Sequence, residues 1–277
     1  MKVLKIDCSL VEKILLQFIQ TEVKNSGRKN AIIGLSGGLD STLSTFLAVK
    51  ALGKEHVIAV IMPYQQLQAN SVKDAQELAK TLAIKSITMD IAPMVDAYFS
   101  QVTDANNIRK GNKMARERMS ILYDLSQKYD ALVQGTSNKS ELLLGYGTIY
   151  GDMACAYNPL GDLYKTQIRQ LASHMGVDST IINKTPTAGL WENQTDEAEL
   201  GYTYEEIDKL LYYMVDKRYS RQQLLELKFQ EAFINDIVNK IKLSEFKRQL
   251  PRIAKISPRT IGWDFNYPLK GFSLPEH

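Results

Sequence analysis

NAIIGLSGGLDSTLSTFLAVKALG, Asn30 to Gly53, decides how the rest of the chain is read. Ala31 to Leu35 is an apolar run of strand length, Ser36-Gly37-Gly38 is a tight turn, and Leu43 to Leu52 carries a helical pattern that stops at Gly53. A strand that feeds a helix through two glycines places the helix's unpaired N–H groups at the carboxyl edge of a sheet. Those donors and the positive end of the helix dipole point at one spot, which makes the junction an anion site. Gly37 and Gly38 let a phosphate approach the backbone, Ser36 and Ser41 offer hydroxyls, and Asp40 offers a carboxylate. No lysine follows the second glycine, so this is not the GxxxxGKS or GxxxxGKT loop. A carboxylate in an anion site makes sense when a divalent cation bridges it to the phosphates. A plain packing junction is the bland alternative; Ser, Asp and Ser at these offsets favour the phosphate.

On either side of this stretch the pattern alternates. Leu10, Val11, Ile14, Leu15, Phe18 and Ile19 recur at helical spacing, so an amphipathic helix is expected to lead the chain and end near Gly27. Val57–Met62 and Lys85–Met89 read as strands flanking a helix over 71–82. Residues 91–111 read as a helix and a polar loop, 112–129 as a helix, and Ala131–Val133 as a fourth strand. Strands alternating with helices imply an α/β fold: a Rossmann-like parallel sheet with helices on both faces, its ligands bound beyond the strands' carboxyl ends. The helix over 112–129 carries an apolar stripe of Ala115, Met119, Leu122 and Leu125, with Arg116 and Arg118 off it, the pattern of two solvated arginines.

The fourth strand empties into Gly135-Thr136-Ser137-Asn138-Lys139-Ser140-Glu141, a second set of small polar residues ending in an acid. If the two strands are neighbours, Asp40 and Glu141 lie on one edge and can share a magnesium ion. An N-capped helix start, with Ser137 or Asn138 as cap, explains the same segment equally well. Gly145 to Asp152 is glycine-dense, as expected where backbone approaches a ligand or another chain closely. Lys165 stands in the first turn of a helix read over 163–175, where a cation opposes the dipole, so a phosphate is a reason for it to be there. Residues 183–201 lack periodicity over a length that marks a lid or a disordered segment. Thr203 to Glu206 fits a capping box, and 221–227 and 231–243 complete a helical C-terminal portion. From Pro258 to His277 an arm is expected, lying on the domain or on a partner subunit.

With 277 residues, 44% apolar and 23% charged, the composition is that of a globular protein, expected as a single domain over 1–277. A net charge of +3 with dispersed basic residues argues against nucleic acid. No apolar run approaches a membrane span. Cys8 and Cys155 form no metal or redox spacing and read as reduced, buried thiols of a cytoplasmic protein.

SGGLDS at 36–41 resembles the SGGxDS loop of the ATP pyrophosphatases, which cleave ATP between the α and β phosphates. The later motifs GTSNKSE (135–141), GYGTIYGD (145–152), NPLGDLYKTQ (158–167), PTAGLW (186–191) and QTDEAELGYTYEEID (194–208) together look like the NAD synthetase family. The resemblance implies an adenine nucleotide alpha hydrolase-like fold. It also implies amidation of deamido-NAD to NAD through an acyl adenylate, with ATP as co-substrate, Mg2+ as cofactor, and a homodimer as the assembly. It implies that Gly34, Leu35, Ser36, Gly37, Gly38, Leu39, Asp40 and Ser41 hold the ATP phosphates, and that Thr136, Lys165 and Thr187 also contact ATP. Asp40 and Glu141 match magnesium ligands, Arg116 a dinucleotide-binding arginine, and Asp152 an aspartate near the reacting carboxylate and the incoming ammonia. Asp152, Lys165 and Asp40 are thus the expected catalytic set. Members commonly have lysine where Ile149 stands, aspartate at Ala156 and Gly189, and histidine at Phe246. The synthetase motifs fill the chain and no cysteine has a nucleophile's setting, so free ammonia is the expected nitrogen donor. A tRNA-modifying relative would want a basic surface, and a non-hydrolysing ATP sensor has little use for Asp40, Glu141 and Lys165 together.

Overall fold

The computed structural model describes residues 2–64, 69–191 and 194–264, and its centre is a parallel sheet of four strands ordered β3-β2-β1-β4. In chain order, α1 (Cys8–Asn25) leads to β1 (Asn30–Gly34), α2 (Leu39–Leu52), β2 (Val57–Ile61), α3 (Ala69–Thr81) and β3 (Lys85–Thr88). Then come α4 (Ala92–Phe99), α5 (Asn107–Lys128) and β4 (Ala131–Val133). A helical remainder follows, with α6 (Lys139–Leu144), α7 (Lys165–His174), α8 (Ser179–Ile182), α9 (Asp196–Leu200), α10 (Tyr204–Leu211), α11 (Arg221–Glu226) and α12 (Glu231–Leu243).

β1 is buried along its middle because it faces helices on both sides. Ile32 joins Ile58, Val60, Met114 and Leu125 in the layer under α4 and α5, while Ile33 joins Val57, Ala59, Ile61, Ala75 and Leu78 in the layer under α2 and α3. Period-two alternation is therefore invisible in the sequence, since both faces need apolar residues. α2 is central as well: Leu39, Leu43, Leu47 and Ala51 pack on α1 and α7 while Ala48 packs on the sheet. Tyr164, Tyr204, Ile207, Leu210, Leu211 and Phe233 form a separate apolar cluster in the C-terminal helices.

Three element bounds differ from the periodicity. α2 begins at Leu39, four residues before its apolar pattern, because its first turn is built of the polar residues Asp40, Ser41 and Thr42 that follow the glycine turn. Asn106 caps α5, so that helix starts at Asn107 and absorbs part of the expected loop. Within 183–201 the chain forms α9, capped by Thr195. Of the arm, 258–264 is exposed apart from Thr260, and 265–277 lies outside the described residues.

Because β1 pairs with both β2 and β4, the sheet's direction of winding reverses between β1 and β4. The loops after these two strands diverge and leave a crevice at their carboxyl ends. Gly37 turns the chain there with φ +76, and a Cβ on it would lie 2.3 Å from the Ser71 carbonyl oxygen of α3. Gly37→Ala is expected to lose about 1–3 kcal/mol in chemical denaturation and to weaken ATP binding by titration; a wild-type midpoint would show that the turn tolerates a side chain.

Candidate active site

The turn after β1 braces itself. Ser41 Oγ accepts from the Ser36 N–H at 3.2 Å, lies 3.0 Å from Ser36 Oγ and donates to the Gly38 carbonyl at 3.1 Å. Ser36 Oγ also accepts from the Gly38 N–H at 3.2 Å. The two serines thus shape the loop, and as the first residues of α2, Leu39, Asp40 and Ser41 present N–H groups without intrahelical acceptors.

The turn after β4 is locked onto the first one by Asn138. Its Oδ1 accepts from the Glu141 N–H at 3.0 Å as the N-cap of α6, and its Nδ2 donates to Asp40 Oδ1 at 2.9 Å. Glu141 closes the capping box, its Oε2 accepting from the Asn138 N–H at 3.2 Å. The capping reading of this segment holds, and the same amide brings the Asp40 and Glu141 carboxylates to one edge. Lys165, at the start of α7, joins the pair: its Nζ lies 2.5 Å from Asp40 Oδ2 and 3.3 Å from Glu141 Oε1, with the lysine side chain only 5% exposed. This explains a cation in the first turn of a helix, where the dipole alone disfavours it.

The charges do not balance. Asp196 adds a third carboxylate to the surroundings of Lys165 and Asp40, held by the hydroxyls of Tyr146 at 3.1 Å and Tyr204 at 3.2 Å. Burial pushes Glu141 up to about 8, with Lys165 pulling against it and Asp40 and Asp196 reinforcing it. Lys165 is raised, its carboxylate neighbours outweighing the cost of burial. A buried group of carboxylates with one ammonium has room in its charge for another cation, and oxygen donors suit a hard divalent ion. Asp40 and Glu141 therefore fit magnesium, although no three acidic, histidine or cysteine side chains cluster as a ready metal cage among the described residues.

Two adjoining cavities open on this edge. One, of about 240 Å³, is largely apolar, lined by Gly34, Leu35, Val60, Met62 and Leu122 among others. The other, of about 350 Å³, holds Asp40, Ser41, Glu141, Lys165 and Asp196. Ser36, Thr136, Thr187 and Asp152 line both. Asp152 thus stands at the joint. Its carboxylate accepts from the Thr148 N–H at 2.6 Å and is open to the cavity, yet protein surrounds it and burial raises its pKa, with Arg118 and Lys247 opposing.

Arg116 is exposed, its Nε donating to the Ile149 carbonyl at 3.3 Å, and it lines neither cavity. Arg118 corrects the reading of two solvated arginines. It turns inward, donates from Nε to the Met62 carbonyl at 3.0 Å and lines the apolar cavity, where burial lowers it to about 10. The glycines of 145–152 also have a different reason from the expected one. A Cβ on Gly145 would meet Ser244 at 2.0 Å and one on Gly147 would meet Met153 at 2.8 Å, so the chain's own packing demands them. Lys184 escaped the sequence reading; its ammonium binds Asp74 at 2.8 Å, Ser71 at 3.0 Å and the Gly37 carbonyl at 3.4 Å, strapping 183–191 to the phosphate turn. Both thiols are free, and burial raises them, which disfavours nucleophilic thiolates.

A strand–SGG–helix turn facing a second acid-bearing turn across the switch point of a parallel sheet defines a nucleotide-binding α/β protein of the ATP pyrophosphatase class. The family model described as NAD synthase matches residues 11–251. The chain belongs to that family. It is 53% identical over 264 residues to the NH(3)-dependent NAD(+) synthetase of Trichlorobacter lovleyi, covering 95% of this chain and 97% of the relative. Among solved structures, the NH3-dependent NAD synthetase of Campylobacter jejuni, in complex with nitrate, matches with TM-score 0.78 and 36% identity, over 91% of this chain and all of that one. The NMN synthetase of Francisella tularensis matches with TM-score 0.81 and 33% identity over the same shares.

The raised Glu141 carboxyl gives a signed pH dependence. Its folded value of about 8 stands above the ordinary 4.5, so between these limits the folded protein keeps a proton that the unfolded chain has lost. Stability then falls as pH rises through the window. The thermal midpoint should decline over it in the wild type and less so in Glu141→Gln, and magnesium should offset the decline; equal slopes in both proteins would contradict this.

Proposed function

We propose that the chain amidates the nicotinate carboxylate of deamido-NAD to give NAD, using ATP and ammonia and releasing AMP and pyrophosphate. The observation that carries the reading is the buried Lys165 ammonium held between Asp40 and Glu141 at the mouth of the phosphate turn. Family membership and the 53% identical relative support it.

A carboxylate does not react with ammonia directly, because oxide would have to leave. Adenylylation makes that oxygen part of a phosphate leaving group. The adenine enters the apolar cavity, the triphosphate lies along Gly34–Ser41 with Thr136 and Thr187, and the α phosphorus comes to the joint beside Asp152. The substrate carboxylate attacks there and pyrophosphate departs into the polar cavity. The backbone N–H groups of the turn and the Lys165 ammonium offset the charge that gathers on the leaving oxygens. Asp40 and Glu141 would hold magnesium, which supplies further neutralisation of that charge when bound. Ammonia then attacks the acyl adenylate and AMP leaves. Ammonia is mostly ammonium at neutral pH, and Asp152, a carboxyl lifted by burial, attracts that cation and takes its proton.

Free ammonia is the donor, in keeping with a relative named for NH(3) and matched over 97% of its own length. The nicotinate half lies outward toward Arg116, and a homodimer completes that side. The cytoplasm is the expected compartment; no helix among the described residues is long and apolar enough to cross a membrane. One observation favours a second substrate, the shorter nicotinate mononucleotide: the likeness to an NMN synthetase, in a chain with Ile149, Ala156 and Phe246 at dinucleotide-seating positions.

Incubation with ATP, magnesium, ammonium and either acceptor should give AMP, pyrophosphate and amide, fastest with deamido-NAD; a faster mononucleotide reaction would reverse the assignment, and no AMP from either would end it. Lys165→Ala should slow ATP–pyrophosphate exchange about a hundred- to a thousandfold. Asp152→Asn should keep the exchange and lose amide formation, and loss of both steps together would remove the role given to Asp152.

A further inference from the structure

Asp208 lies in the interior, fully buried on α10, where its helix neighbours Tyr204, Ile207, Leu210 and Leu211 form the C-terminal apolar cluster. A carboxylate in such a place is costly unless strong hydrogen bonds compensate. Both of its oxygens are engaged with the elements that carry the site. Oδ1 accepts the Ser140 hydroxyl and Oδ2 accepts the Thr166 backbone N–H at 2.8 Å. Ser140 Oγ in turn accepts the Lys165 backbone N–H at 3.0 Å.

Lys165 and Thr166 are the first two residues of α7, and the N-cap of that helix, Tyr164, provides no side-chain acceptor. Their N–H groups would otherwise be orphaned in a dry setting. Ser140 and Asp208 do the capping from two other helices. Ser140 adjoins Glu141, so one carboxylate governs the backbone beside both partners of the ionic cluster. Burial lifts Asp208 to about 6, while the Ser140 and Thr166 hydrogen bonds pull it down.

We propose that Asp208 is a positioning residue for the adenylylation step: through Ser140 and the first turn of α7 it sets where the Lys165 ammonium stands relative to the Glu141 carboxylate. It touches no substrate and acts only through those two groups, so the assignment rests on the role given to them above. Asn at this position keeps the size but replaces one acceptor by an N–H group, which must face either the Thr166 N–H or the Ser140 hydroxyl. The effect belongs on kcat for pyrophosphate departure rather than on ATP affinity, because the turn that grips the phosphates is braced by Ser36 and Ser41 on other elements.

The test is a double-mutant cycle read by ATP–pyrophosphate exchange. Asp208→Asn should lower kcat by about ten- to a hundredfold with KM for ATP nearly unchanged. Added to Lys165→Ala, it should cost little more, because the ammonium whose place beside Glu141 it sets is gone. Ser140→Ala, which leaves the Thr166 contact in place, should show a smaller loss with the same non-additivity and serves if Asp208→Asn does not fold. Wild-type exchange in Asp208→Asn, an equal loss with and without Lys165, or full activity in Ser140→Ala beside an unfolded Asp208→Asn would each overturn the proposal. Wild-type exchange in Lys165→Ala would instead sink the role of the lysine itself and the positioning role with it. Additive losses on a crippled Lys165→Ala would sink the positioning role alone.

Discussion

One ammonium between two carboxylates organises this molecule. Lys165, Asp40 and Glu141 come from three helices, α7, α2 and α6, and their meeting fixes how those helices approach each other at the sheet edge. Such a cluster is poor value as a stabiliser, because desolvating the charges cancels much of their attraction, and apolar residues of like volume often do as well. Its persistence in a dry place is better explained by what the charges do. With Asp196 nearby the acids outnumber the lysine, and a site in that condition attracts cations. Of the reactants, ammonia fits that demand as ammonium.

Parallel winding is what makes the meeting possible. Strands β1 and β4 are neighbours that were laid down a hundred residues apart, and each ends in a helix start that needs capping. Asn138 satisfies the second helix start and, with its other end, the carboxylate of the first. The local requirement of a helix terminus and the long-range juxtaposition of Asp40 with Glu141 are met by a single amide. Replacing it would therefore disturb the helix start and the placement of Asp40 together.

Much of this was legible before any coordinates. Apolar runs ending near glycine or proline marked β1, β2 and β4, while β3, Lys-Ser-Ile-Thr and mostly exposed, was marked by its place in the alternation of strands and helices. Lys165 stood out because a cation in a first turn contradicts the dipole. What could not be read has a common cause: side chains whose purpose lies across the fold. Arg118 sits off the apolar stripe of α5 just as Arg116 does, and only the depth of the crevice sends one inward to Met62 and leaves the other outside. Asp208 looks like any acid in an amphipathic helix, and Lys184 like any surface lysine. The glycines at 145 and 147 signalled close approach correctly, but the identity of the approaching atoms, Ser244 and Met153, is a tertiary fact.

The C-terminal residues hold the site's elements in place as well as covering them. Lys247 donates to the carbonyls of Gly145 and Gly147, each at 2.8 Å, and Arg248 grips the Leu142 and Leu143 carbonyls at the end of α6. From the other direction Tyr204 reaches Asp196, and Asp208 reaches Ser140 and α7. The helix carrying Glu141 is thus held at its start by Asn138 bonded to Asp40 and by Asp208 bonded to Ser140, and at its end by Arg248. Lys247 also adds positive charge near Asp152, opposing the rise that burial imposes on that carboxyl. A site assembled this way has its phosphate-binding face on the sheet and its geometry set from behind, and neither half holds the reacting groups in place without the other.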